Sequence, residues 1–177
     1  MKTAFFVLGP ESSGTRMMTQ AFISVGIYGD GGHGQRLDKA LKNNDFSKVP
    51  DLIVLRRSIP HGMDWVKIGE IVKKMESFEY DVIPIFIVRE REATAKSQVK
   101  RNHAYNLKAA HEHITRAINH IWRALAFVNK TPFIIHYEPF VKFQKVRKAF
   151  FAQFGLDPPK MKFYNANEQY QKGTKNQ

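Results

Sequence analysis

Cysteine is absent from the 177 residues. That excludes disulfides, thiolate metal sites and cysteine nucleophiles. Long apolar runs are absent too. No stretch nears the roughly 20 apolar residues that a membrane helix needs. The apolar opening at residues 3–8 is too short for a signal segment and ends at Gly9-Pro10. The expectation is a cytoplasmic protein with no transmembrane segment. Acidic residues are scarce: 16 Asp and Glu stand against 28 Lys and Arg, a net charge of +12. Such a balance favours anionic partners, among them nucleotides, phosphorylated or sulfated substrates, nucleic acid and anionic membrane surfaces. Nucleic acid is not favoured, because no aromatic-rich recognition motif accompanies the charge.

What is present points to one globular unit. The length suits a single core, and 14 Phe within 43% hydrophobic residues can fill it. Short apolar runs at 3–8, 51–56, 81–88 and 132–136 read as strands. Pro84 marks the third as an edge strand or a bulged one. Helical spacing appears over 15–25, 38–46 and 63–75, over 92–102 and 107–129, and over 140–154. Strands alternating with helices predict a three-layer αβα fold with a largely parallel sheet of four or five strands. We expect one domain over 1–164 and a polar C-terminal tail over 165–177. Residues 26–36 hold five of the eleven glycines and read as a loop.

The run Gly9-Pro-Glu-Ser-Ser-Gly-Thr-Arg16 sits between the first strand and the first helix. Strand, glycine-bearing turn and helix form the phosphate-binding opening of P-loop proteins. Gly9 and Gly14 keep the spacing of G-x-x-x-x-G-K-[S/T]. Thr15 replaces the lysine, and Arg16 replaces the hydroxyl that ligates Mg²⁺. Backbone N–H groups of such a turn still bind an anion, here with a cation where the metal would sit.

Three ordered motifs now resemble the sulfotransferase family. Gly9, Gly14, Thr15 and Arg16 match its first loop, whose usual Lys or Arg is Ser12 here. Arg89, ending the third strand, and Ser97, eight positions on in the next helix, resemble its 3′-phosphate motif. The family's usual Asn-Pro after that arginine is Glu90-Arg91. His136-Tyr-Glu-Pro-Phe-Val141, followed by Phe154-Gly-Leu156, resembles a late structural segment. A fourth, shorter likeness is Lys172-Gly173, a pair that in relatives closes over the 3′-phosphate. The resemblance implies transfer of a sulfuryl group from 3′-phosphoadenosine 5′-phosphosulfate (PAPS), without metal, to a hydroxyl or amine acceptor. That acceptor could be a carbohydrate, peptide, lipid or small molecule. It also implies a cofactor site of Gly9, Glu11, Ser12, Ser13, Gly14, Thr15, Arg16, Arg89, Ser97, Lys172 and Gly173.

Sulfuryl transfer needs a base for the acceptor proton and cations for developing charge. His61, in the loop after the second strand, is the first candidate base and His33, in the glycine-rich loop, the second; Glu11 is a third. Arg16 is the nearest substitute for the cation missing at Ser12. Arg56 and Arg57 could bind acceptor or cofactor. His103, His111, His113 and His120 read as packing or surface residues. Two other classes stay open: a divergent P-loop nucleotide kinase, and a non-catalytic basic protein that binds nucleotides or polyanions.

Overall fold

The computed structural model describes residues 2–29, 35–60 and 64–171. Five strands form one sheet: β1 (Lys2–Pro10), β2 (Tyr28–Gly29), β3 (Leu52–Ile59), β4 (Tyr80–Val88) and β5 (Phe133–His136). Their order is β2-β3-β1-β4-β5, with every pairing parallel. The α/β fold with a largely parallel sheet is therefore as the sequence predicts. The fifth strand, β2, lies in the stretch read as loop; its two residues pair with Ile53 and Val54.

Side chains of β1 alternate, as a strand buried on both faces requires. Ala4, Phe6 and Leu8 join α2 (Gln35–Asn43), α3 (Ile68–Glu76) and α5 (Leu107–Phe127) in one apolar layer. Phe5 and Val7 join α1 (Thr15–Ser24), α6 (Tyr137–Lys142) and α7 (Gln144–Ala152) in the other. Phe22 anchors this second layer, stacking on Phe5 at 4.4 Å between centroids and tilting against Phe151 at 5.1 Å. A third, small cluster of Ala95, Ala104, Ala109, Ala110 and Ile114 joins α4 (Arg91–Lys100) to α5. No helix among the described residues is long and apolar enough to cross a membrane.

Three local expectations are corrected. Pro84 does not mark an edge strand, since β4 lies between β1 and β5. The ladder with β5 starts only at Ile85, so at Pro84 the strand has a neighbour on one side alone. A missing N–H is tolerated there. The helix expected over 140–154 is two, broken at Phe143, whose backbone is extended (φ −113°, ψ 117°). Arg147 Nη1 holds the break by donating to the carbonyls of Phe140 (2.7 Å) and Val141 (3.0 Å). α3 begins at Ile68, five residues later than the periodicity suggested. Within the polar C-terminal segment, α8 (Glu168–Gln171) packs near α4, and Asn167 is buried.

Candidate anion-binding site

The glycine turn is tighter than the sequence implied. β1 continues through Gly9 and Pro10, which align with Ser58 and Ile59 of β3, so the turn itself is residues 11–14. A Cβ on Gly9 would run into Ser13 Oγ and come within 3.0 Å of the Ile87 carbonyl. Gly14 has φ +104°, and a Cβ there would lie 2.6 Å from the Tyr137 ring. Both glycines are thus required by space, one of them also by backbone conformation. Ser12 takes φ +67°, a left-handed conformation that a non-glycine residue holds at a cost of about 1–3 kcal/mol. No side chain caps the N-terminus of α1, which faces out of this turn. Thr15 Oγ1 lies 2.9 Å from Ser58 Oγ, tying the helix start to β3.

A cavity of about 560 Å³ opens over the C-terminal ends of β1, β3 and β4. This is where open parallel sheets bind ligands, at the point where strand order reverses. Of the residues nominated from sequence, Glu11, Ser12, Gly14, Thr15, Arg16, Arg89 and Ser97 all line it. Gly9 and Ser13 are buried beneath. His33, His61, Lys172 and Gly173 lie outside the described residues. Arg57 does not reach the cavity, because its Nη2 pairs with Asp38 Oδ1.

Among the described residues, charge in the cavity is one-sided: Arg16, Arg56, Arg89 and Arg101 face a single carboxylate, Glu11. Burial lowers the pKa of Arg56, and the charges of Arg16 and Arg57 lower it further, while Asp38 opposes them. Burial also lowers that of Arg89, against the pull of Tyr137, Tyr170 and Glu138. Guanidinium pKa values start so high that both groups stay charged at neutral pH. Like charges held this close favour an anion between them. Among the described residues no three His, Asp or Glu side chains gather in a metal-binding group.

Arg89 is fixed from several sides. Its Nε donates to Asn167 Oδ1 and its Nη1 to the Ser12 carbonyl, each at 2.7 Å. The guanidinium lies over the Tyr137 ring, 4.8 Å from the centroid. Asn167 is held in turn, its Nδ2 donating to Glu138 Oε1 at 2.8 Å. Glu138 Oε1 also accepts from the Glu90 backbone N–H at 2.8 Å. Glu90, where the resemblance has Asn, caps α4 by accepting from Glu92 N and Ala93 N. Arg89 Nη2 is buried with no hydrogen-bond partner among the described residues, as are Ser12 Oγ and Ser13 Oγ.

Sequence reasoning missed four members of this site. Arg56, nominated for acceptor or cofactor, lines the cavity, and Ser58 joins it because β3 runs to Ile59, three residues past the expected end. Arg101 and His103 follow Ser97 off the end of α4; the i, i+4 spacing of Ser97 and Arg101 was the available signal. His103 is exposed, as expected, and also lines the cavity, with Nδ1 at 3.4 Å from Glu11 Oε2. Asn167 gave no signal, being 78 residues from Arg89. A second groove, of about 660 Å³, runs between α3 and α5 and shares no lining residue with the first. No family model matches the chain, and no curated protein matches its sequence.

Proposed function

We propose that this chain binds PAPS in the four-arginine cavity and transfers its sulfuryl group to a hydroxyl or amine acceptor. The observation that carries the reading is the convergence of Arg89 and Ser97 on the cavity floored by the glycine turn. On this reading the turn takes one phosphate of the ligand, and Arg89 with Ser97 takes the other.

The residues suit such a ligand. A buried N–H or hydroxyl left unpaired costs about 1–3 kcal/mol, and Arg89 Nη2, Ser12 Oγ and Ser13 Oγ are three such groups beside the turn. Phosphate oxygens in the cavity would satisfy Arg89 Nη2 and Ser12 Oγ, whose residues line it. Arg89 and Ser97 hold the 3′-phosphate, with Arg101 on the same helix face. The turn and the open N-terminus of α1 take the 5′-phosphate. Arg16, exposed at the rim, and Arg56 of β3 hold the sulfuryl oxygens and replace the cation that Ser12 lacks. PAPS supplies the activated sulfuryl group and a good leaving group; the protein supplies position and positive charge.

A thermal-shift comparison tests the reading. Adenosine 3′,5′-bisphosphate in EDTA, at about 100 times its Kd, should stabilise the protein by about 2.7 kcal/mol. That corresponds to roughly 5–10 °C for a domain of this size. A shift with ATP that requires Mg²⁺, and none with the bisphosphate, indicates a nucleotide kinase. A shift with heparin alone indicates a polyanion-binding protein.

A further inference from the structure

We infer that His103, positioned by Glu11, takes the proton from the hydroxyl that attacks the sulfuryl group. The inference rests on the proposed sulfuryl transfer and adds the base that the four arginines cannot provide. His103 lines the cavity, with its Nδ1 3.4 Å from Glu11 Oε2. Nε2 is therefore the ring nitrogen directed away from the carboxylate. Catalytic hydrogen bonds are commonly long before substrate arrives and tighten on binding.

The two residues are brought together by a third. The Gln98 side-chain amide donates to the Glu11 carbonyl at 2.9 Å, and the Gln98 carbonyl accepts from the His103 backbone N–H at 2.9 Å. Gln98 is itself fully buried in α4. Glu11 is tied to β3 as well, its N–H donating to the Ile59 carbonyl at 3.1 Å. The Glu11 side chain is largely buried, at 10% exposure, while the His103 ring is open to the cavity at 35%. A buried carboxylate behind a half-open imidazole fixes which nitrogen carries the proton. With Nδ1–H turned to Glu11, neutral His103 presents a bare Nε2 as acceptor.

The step balances. The acceptor oxygen forms a bond to sulfur as the sulfur–oxygen bond to the 5′-phosphate breaks. The electron pair of that bond leaves on the phosphate oxygen, giving adenosine 3′,5′-bisphosphate. The acceptor proton passes to His103 Nε2, and Glu11 stabilises the resulting imidazolium. His103 is the catalytic residue, and Glu11 is a positioning residue.

Three readouts on the full chain test this. The first needs no nucleotide: ¹⁵N-resolved imidazole spectra at alkaline pH should show the Nδ1–H tautomer of His103. In Glu11→Gln the spectra should move toward the Nε2–H form that free imidazole prefers. The second is release of inorganic sulfate from PAPS, with water as acceptor. His103→Gln should slow it about 10²-fold or more. The third is binding of adenosine 3′,5′-bisphosphate itself: saturable binding retained in both variants reports that they remain folded. If wild type does not bind the bisphosphate, the proposed function fails rather than this inference. Bisphosphate binding intact, with an Nε2–H tautomer in wild type or undiminished sulfate release in His103→Gln, overturns the inference. Loss confined to His61→Ala overturns it too.

Discussion

Arg89 enters the cavity with its freedom already spent. Two nitrogens are bonded, the plane rests on Tyr137, and Nη2 alone lacks a partner. A guanidinium held this way loses little entropy when an anion arrives. Arg89→Ala should therefore weaken adenosine 3′,5′-bisphosphate by roughly 1.5–3 kcal/mol, the range for a charge-assisted hydrogen bond. Binding of 5′-AMP should fall much less, as measured by calorimetry; equal losses for both would show that Arg89 acts through the fold. Asn167→Ala gives a graded version, freeing Nε without removing charge, so its loss should be the smaller of the two. Gly14 is the second decisive residue. Gly14→Ala places a Cβ against the Tyr137 ring in a conformation costing about 1–3 kcal/mol. A lower thermal midpoint and lost bisphosphate binding are expected; an unchanged midpoint would mean that Tyr137 yields easily.

Among the elements, the junction of α6 and α7 shows how a helix stops without proline or glycine. Phe143 is extended, and Arg147 Nη1 collects the two carbonyls that the break exposes while its guanidinium lies 4.4 Å from the Phe163 centroid. Burial lowers the Arg147 pKa, yet the group stays charged at neutral pH. Arg147→Met keeps the stem and removes the donors. It should cost about 1–2 kcal/mol in urea unfolding, allowing for partial exposure; no loss would show that water serves those carbonyls equally well. The same junction marks a limit of sequence reading. Continuous apolar runs and 3.6-residue spacing were enough to place the four longer strands and most helices. Nothing in the periodicity of 140–154 announced the break, because its cause is one side chain turning back seven residues. Pro84 misled for a similar reason: its tolerance depends on where β5 begins, which is a tertiary fact. In the site, residues close in sequence to the glycine turn and Arg89 were legible. Asn167 and the Glu11–His103 contact were not, since both join segments more than 75 residues apart.

Over the whole molecule, charge and topology act together. A net charge of +12 surrounds a cavity where four arginines meet one carboxylate. The parallel sheet directs the C-terminal ends of β1, β3 and β4 to that spot. Long-range attraction of this kind is screened over about 8–10 Å at physiological ionic strength. Raising salt from about 50 to 200 mM should weaken the bisphosphate more than 5′-AMP, because more charge is neutralised on binding. Parallel salt slopes would place the 3′-phosphate in solvent. The most direct test of the central claim is calorimetric titration of the wild-type chain with adenosine 3′,5′-bisphosphate in EDTA, beside 5′-AMP. One site, no metal requirement, and 5′-AMP weaker by at least about tenfold, the equivalent of 1.4 kcal/mol, are expected. Equal affinity for the two nucleotides, or binding that appears only when Mg²⁺ is restored, would contradict the claim.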